Sequence, residues 1–210
     1  MVAAILITLV LAYFAGSLPT GYLVARAMRV DITRVGSGNI GATNVFRVLG
    51  KGPGSLVLIV DLLKGALAVQ FAPALAVAVA PSNSLALPAL AALGAVLGHN
   101  YTCWLGFKGG KGVATSAGAM AALIPSAFGV TVVTWLLVFF LSRYVSLASI
   151  GSAIILPFAT AFFVSGPTRW PLVGFTSVLA ALAVWRHRAN IERLKAGTEH
   201  RFGKSKLSAS

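Results

Sequence analysis

Val113–Leu141 reads VATSAGAMAALIPSAFGVTVVTWLLVFFL, and whether this run crosses a bilayer once or twice decides the fold. It is 29 residues long, whereas a hydrocarbon core needs about 20 helical residues. Pro125, Ser126 and Gly129 interrupt it near its middle, so it is either one long tilted helix or two short helices meeting at Ile124–Gly129. The distribution of basic residues separates the two readings, because Lys and Arg accumulate on the cytoplasmic side of a membrane. Other apolar runs are Val2–Val24, Ser55–Ala80, Leu85–Leu97, Leu147–Val164 and Pro171–Trp185. If Val113–Leu141 crosses once, the C-terminal tail with Arg186, Arg188, Arg193, Lys195, Arg201, Lys204 and Lys206 is placed outside. If it crosses twice, there are seven spans and 15 of the 17 Lys and Arg lie inside, with Arg169 outside and Lys64 within a span. Two short helices require only a thin or locally distorted bilayer, a smaller penalty than translocating a basic tail. The expectation is an all-α integral membrane protein: a seven-transmembrane-helix bundle with its N-terminus outside and its C-terminus cytoplasmic.

Composition supports this. Hydrophobic residues make up 58% of the chain and charged residues only 10%, which points to an integral membrane protein rather than a soluble core. At 210 residues, a single membrane domain over 1–210 is expected. The formal charge of +13 fits anionic lipid or an anionic substrate. Nucleic acid is disfavoured, since no soluble basic domain remains once the spans are removed. Cys103 is the sole cysteine, which excludes a disulfide framework and a cysteine-rich metal site. No Lys or Arg precedes the first apolar run, and Arg26, Arg29 and Arg34 follow it, so it reads as a retained span and not a signal peptide.

Three polar, glycine-rich, basic segments interrupt the apolar background: 36–54, 98–115 and 186–204. With seven spans all three lie on the cytoplasmic face. Asp61 and Lys64, one helical turn apart, can pair near the cytoplasmic end of the second span as a structural ion pair. Gly36–Ser37–Gly38–Asn39–Ile40–Gly41 formally matches a dinucleotide-binding fingerprint, but no strand–helix alternation surrounds it. The physics beneath the motif survives: glycines let successive backbone N–H groups converge on one anion. Ser37, Asn39, Thr43 and Asn44 add neutral hydrogen-bonding groups, and Arg47 offers a planar fork suited to phosphate.

Lys108–Gly109–Gly110–Lys111–Gly112 is not a Walker A loop, because Leu105 stands where the first glycine should be and Gly112 where Ser or Thr should follow. A glycine-rich turn ahead of the run from Val113 still places backbone N–H groups at a helix N-terminus, where anions are favoured. An anion site and a basic hinge both fit this loop, and His99 upstream fits a structural interface role. In the third segment His187 and Asn190 share a face if the helix continues. Arg186 and Arg188 flank His187 and disfavour its imidazolium form, which leaves it able to accept a proton. Glu199 among cations fits a structural counter-ion. The four acids, Asp31, Asp61, Glu192 and Glu199, form no paired carboxylates or Mg²⁺ cluster, and no HExxH is present, so no metal site or cofactor is expected.

At these segments the chain resembles the bacterial acyl-phosphate:glycerol-3-phosphate acyltransferase family. The first motif is similar to Gly36 through Asn44 with Arg47 and Gly50, and the second to Gly98–His99, Phe107 through Gly112 and Ala114–Thr115. The third is similar to Arg186–His187–Arg188, Asn190–Ile191, Arg193 and Gly197–Thr198–Glu199, and a further family-like stretch is Ser142 through Leu147. Thr102–Cys103 departs from the family, where many members carry a proline, which bears on local loop shape.

The resemblance implies transfer of a fatty acyl group from acyl-phosphate to the 1-hydroxyl of sn-glycerol-3-phosphate, giving lysophosphatidic acid and inorganic phosphate without a metal. It implies Ser37, Arg47, His187 and Asn190 as catalytic residues. Gly38, Asn39, Thr43, Asn44, Lys108, Gly109, Gly110, Lys111, Gly112, Ser146 and Arg188 are implied to bind substrate, with Glu199, Asp61 and Lys64 structural. Ser37, Asn39 and Thr43 would face the acyl-phosphate and the developing oxyanion, while Arg47, Lys108, Lys111, His187 and Asn190 would hold glycerol-3-phosphate. The proton acceptor is either His187 or a substrate phosphate. A monomer in the bacterial inner membrane, with its site towards the cytoplasm, is implied as well.

Two other readings compete. A small-anion or phosphate transporter would need polar residues along its spans, which hold few beyond Asp61 and Lys64. A scaffold that only holds anionic lipid would not need the glycine-rich motifs.

Overall fold

The computed structural model describes residues 1–203, and every regular element among them is helical. The helices are α1 (Val2–Ser17), α2 (Thr20–Ala27), α3 (Ala42–Leu49), α4 (Lys51–Val79), α5 (Leu87–Asn100), α6 (Val113–Leu123), α7 (Pro125–Ser142), α8 (Val145–Phe163), α9 (Arg169–Arg186) and α10 (Arg188–Lys195). A 3-10 turn covers Cys103–Leu105. Val113–Leu141 divides at Ile124, directly before Pro125, whose ring and missing N–H end the preceding helix. The chain falls into two compact units at the same place, one from Met1 to Pro125 and one from Ser126 onward.

Four stretches are long and apolar enough to cross a membrane: Val2–Ala27, Lys51–Val79, Pro125–Ser142 and Val145–Phe163. Along α4, Ile59, Leu63, Leu67, Phe71 and Leu75 recur at helical spacing and are all exposed, as lipid contact requires.

The first apolar run lies within the candidate span Val2–Ala27. Val2–Val24 is not one uninterrupted helix, because it breaks at Leu18–Pro19. The break frees backbone carbonyls, and distant side chains satisfy them. The Lys64 Nζ donates to Leu18 O at 2.8 Å, and the Thr102 hydroxyl to Ser17 O at 2.6 Å. Freed carbonyls at membrane depth are tolerated only when such partners exist. Two short helices, α3 and α10, also lie within segments that composition alone reads as loop or as helix continuation.

Small residues set the packing in the first unit. Gly94 and Gly98 are spaced four apart on α5 and lie against α1, where a Cβ on Gly98 would overlap Tyr13 O. Gly16 returns the contact, pressed on the Ala95 backbone. Ala12, Ala68, Ala72, Ala91 and Ala95 form a buried cluster among α1, α4 and α5. Without a hydrophobic drive between helices in lipid, close backbone approach through small residues supplies the cohesion. Gly65 and Gly118 do the same between α4 and α6, each against the other helix's backbone at Thr115 O and Leu62 O.

In the second unit, α8 and α9 pack together and the C-terminal segment folds back on the α7–α8 turn. Phe202 N donates to Arg143 O at 2.9 Å, and its ring meets Phe139 edge-on at 5.6 Å. Lys204 and Lys206, counted among the C-terminal basic residues, lie outside the described residues.

Candidate active site

The first glycine-rich segment is built around Asn44. Its side chain is buried, on the inner face of α3, and its Nδ2 donates to Ile32 O (3.3 Å), Val35 O (3.1 Å) and Asn39 O (2.9 Å). Its Oδ1 accepts from Ser37 N at 2.9 Å. One amide therefore holds the loop on both sides of Ser37, and Gly36 and Gly38 turn it with φ of 62° and 69°. Asn39 closes a smaller turn, its Oδ1 accepting from Gly41 N at 2.8 Å. Ile32, Ile40, Val45 and Val57 anchor this unit from beneath. Outward, Ser37, Thr43 and Arg47 are exposed, and Thr43 and Arg47 lie one turn apart on α3. The loop thus separates a shaping residue, Asn44, from an outward polar set.

The second segment wraps around the end of α5. Gly110 N donates to His99 O at 3.0 Å and Gly109 N to Asn100 O at 3.1 Å. A Cβ on Gly109 would overlap His99 O and one on Gly110 would overlap the His99 imidazole, so both positions admit only glycine. Gly112 has φ of 75° and caps α6, and a Cβ there would stand 2.7 Å from Asn100 Oδ1. The result is a tight turn at a helix N-terminus, with Lys108 exposed and Lys111 half-buried beside it. Leu105, midway along this segment, packs against the cluster that holds Ile40 and Val45, so the first two segments share one core.

His99 and Asn100 are both buried. His99 Nδ1 lies 3.8 Å from Asp61 Oδ1, and Asp61 pairs with Lys64 Nζ at 2.8 Å. Sequence reasoning joined Asp61 to Lys64 but not to His99, and it passed over Asn100. The signal available for Asn100 was its place beside His99 in the same motif.

In the second unit His187 sits between α9 and α10 and is buried. Its Nδ1 lies 2.8 Å from Ala183 O, and because a carbonyl only accepts, that nitrogen carries a proton. In a neutral ring Nε2 would then be the accepting nitrogen, the tautomer a general base requires. Asn190 follows three residues later, buried, with Nδ2 donating to Glu199 Oε1 at 2.7 Å. Ser146 donates to the same oxygen at 2.8 Å, and Arg193 Nε meets Oε2 at 2.7 Å.

Glu199 is therefore a counter-ion that clamps the start of α8 to α10. Burial pushes its carboxyl pKa up, but the bonds from Asn190, Arg193 and Ser146 outweigh burial and hold it below the ordinary value. Arg188 lies over the Trp185 ring at 4.9 Å and donates to Trp185 O at 3.3 Å, an interfacial arrangement. Within this unit the stretch Ser142–Leu147 and the third segment are brought together.

The family model for glycerol-3-phosphate acyltransferase matches residues 6–197. The chain is 50% identical over 199 residues to glycerol-3-phosphate acyltransferase 2 of Moorella thermoacetica, covering 94% of this chain and 97% of that one. It is 45% identical over 200 residues to the glycerol-3-phosphate acyltransferase of Thermosynechococcus vestitus, with 93% of each covered. Among solved structures it is similar to PlsY, an integral membrane glycerol 3-phosphate acyltransferase, in its glycerol 3-phosphate form. That similarity has a TM-score of 0.83 and 42% identity, over 95% of this chain and 96% of that one. The lysophosphatidic acid form of PlsY gives a TM-score of 0.81 and 41% identity over 95% of each.

Proposed function

Since the chain belongs to the glycerol-3-phosphate acyltransferase family, an all-helical family of integral membrane enzymes, we propose that its acyl donor is a fatty acyl-phosphate and its acceptor the 1-hydroxyl of sn-glycerol-3-phosphate. The products are lysophosphatidic acid and inorganic phosphate, the first acylation of phospholipid synthesis. The observation that carries this reading is the family match across nearly the whole chain. The glycine-shaped turn at the start of α6 supports it, with backbone amides and two lysines suited to a phosphate monoester.

In the proposed reaction the acceptor hydroxyl oxygen attacks the carbonyl carbon of the acyl-phosphate. The new ester bond forms as the bond between that carbon and the phosphate oxygen breaks, and phosphate leaves. Ser37, on the loop that Asn44 holds, stabilises with its hydroxyl the charge that develops on the carbonyl oxygen. Asn39, Thr43 and Gly38 shape the surroundings of the donor phosphate. Arg47, Lys108 and Lys111, with Gly109, Gly110 and Gly112, bind the phosphate of glycerol-3-phosphate. His187 Nε2 takes the hydroxyl proton, as its tautomer supports, and Asn190 and Arg188 complete acceptor recognition. Asn44 and Ser146 act on substrate through the loop and through Glu199, since their polar groups bond those partners. An acyl-phosphate is a mixed anhydride with a good leaving group, so the step needs neither a metal nor a covalent enzyme intermediate.

The rest of the reading is topological. The protein is a monomeric single membrane domain of seven spans, N-terminus outside and C-terminus cytoplasmic, in the bacterial inner membrane. The side on which the basic residues gather supports the span count, the orientation and a site towards the cytoplasm. The test is direct. Purified protein in detergent is mixed with palmitoyl-phosphate and glycerol-3-phosphate, and released phosphate and lysophosphatidate are measured. Equal amounts of both, dependent on glycerol-3-phosphate and insensitive to EDTA, are expected. A folded sample that forms neither refutes the reading, and one that uses palmitoyl-CoA instead refutes the donor.

A further inference from the structure

One turn of α4 reaches three other elements around the second glycine-rich loop. Lys64 Nζ bonds Leu18 O at the α1–α2 break, and Asp61 Oδ1 stands between Lys64 Nζ (2.8 Å) and the His99 imidazole at the end of α5 (3.8 Å). Gly65 lies against Thr115 O in the first turn of α6. The loop between α5 and α6 rests on the same histidine. Gly110 N is bonded to His99 O, and Gly110 sits so close to the imidazole that a Cβ would overlap Nε2. Asp61, Lys64 and His99 are all nearly inaccessible, at 2%, 6% and 5% exposure. A charged pair buried in a membrane helix is expensive and usually marks function. A pair serving only helix packing would not need as its third member a histidine on which the glycine-rich loop rests.

We propose that Asp61, Lys64 and His99 form a buried brace that positions the Gly109–Gly112 loop for the acceptor phosphate, making Asp61 and Lys64 positioning residues for the reaction. The proposal rests on the acyltransferase reading for the identity of the phosphate, but the mechanical part does not. Lys64 fixes the turn of α4 to the α1–α2 break, and Asp61 faces the His99 ring across 3.8 Å, an electrostatic contact and not a hydrogen bond. The His99 carbonyl then holds Gly110 N and the Asn100 carbonyl holds Gly109 N, which fixes the turn and leaves the amides at the start of α6 for the acceptor phosphate.

The variant to make is Asp61→Leu with Lys64→Met, which removes both charges together, leaves neither buried without its partner, and leaves Leu18 O its bond from Thr20 N at 3.0 Å. Three measurements are made on full-length protein in detergent: thermal unfolding, hydrogen–deuterium exchange over residues 106–112, and steady-state kinetics. Unfolding close to wild type is expected, with exchange at Gly109 and Gly110 about tenfold faster and the rest of the chain unchanged. KM for glycerol-3-phosphate should rise about tenfold while KM for palmitoyl-phosphate stays put. The conservative Lys64→Arg should keep loop exchange and acceptor KM near wild type. A folded double variant with unchanged loop exchange and unchanged KM overturns the proposal. So does one in which exchange rises evenly throughout the chain, since that is a general stabilising role. Asp61→Asn is the second probe should the double variant not fold, with the same loop-specific change expected. If the wild type makes no lysophosphatidate, the functional reading fails while the exchange data still decide the brace.

Discussion

Asn44 satisfies three backbone carbonyls and one N–H from a single buried amide, and no other residue type offers that combination of donors and acceptor in so small a volume. Asn44→Ala would take that partner from Ser37 N and from the carbonyls of Ile32 and Asn39, while Val35 O keeps its bond from Gly38 N, a loss of about 1–3 kcal/mol that thermal unfolding in detergent would register. Ser37 and Arg47 make the opposite case. Both are exposed, so Ser37→Ala and Arg47→Ala should leave unfolding within about 0.5 kcal/mol of wild type. Each should cut turnover by about 10²–10³-fold, Ser37→Ala because a donor to developing charge is lost and Arg47→Ala because the acceptor phosphate loses its clamp, and wild-type rates in either would remove that residue from the mechanism. Glu199 gives a pH dependence whose sign is fixed by its partners. Its carboxyl pKa is lowered in the fold, so ionisation favours the folded state. That contribution is complete above the ordinary value of 4.5 and is lost as pH falls through the lower folded value. The gap in unfolding temperature between wild type and Glu199→Gln should therefore be widest near neutral pH and close in acid; a gap that widens in acid would show that Glu199 is held neutral.

Among elements, contacts between helices are carried by glycine and alanine, which makes the protein more sensitive to added volume than to lost volume. Gly118 lies so near Leu62 O that any side chain must push α6 away from α4. Gly118→Val should destabilise by about 1–3 kcal/mol or prevent folding, and it should also impair activity, because α6 carries the second loop at its N-terminus. Gly129→Ala is the control, since a Cβ there meets nothing within 4 Å and unfolding should barely change. The elements were unevenly legible in the sequence. Pro125 announces the end of α6 because the residues around it, Ser126 and Gly129, are also weak helix formers. Pro19 announces its break less clearly, because Val2–Val24 suits a single span. The partners that make the break tolerable, Lys64 and Thr102, are 46 and 85 residues distant from their carbonyls. The short helix α3 hides among glycines, and only the inward Asn44 and Val45 against outward Thr43 and Arg47 betray its amphipathic face. The third segment was legible as a cluster of polar residues, but not as a clamp. Glu199 reaches Ser146 across 53 residues, a pairing no local pattern encodes.

At the scale of the whole chain, the charge map carries more information than hydropathy. Among the described residues four stretches qualify as spans by length and apolar character, while α5 and α6, with 14 and 11 residues, are short for a bilayer. Hydropathy therefore does not determine which side the chain emerges on after α7. The proposed side rests on the basic residues, since translocating a tail with Arg186, Arg188, Arg193, Lys195 and Arg201 is far less favourable than fitting two short helices into a thinned bilayer. The seven-span arrangement makes a sharp claim at two turns. Tyr144, between α7 and α8, must lie inside, and Arg169, at the start of α9, must lie outside. Cys103 is the sole cysteine, so Cys103→Ser gives a background into which Tyr144→Cys or Arg169→Cys can be introduced singly. Treated with a membrane-impermeant maleimide, intact cells should label Arg169→Cys at once and Tyr144→Cys only after permeabilisation. With a single crossing through Val113–Leu141 the pattern inverts, since every segment beyond Leu141 changes sides. Labelling of Tyr144→Cys in intact cells would thus refute the seven-span fold and, with it, the cytoplasmic placement of His187 and Asn190.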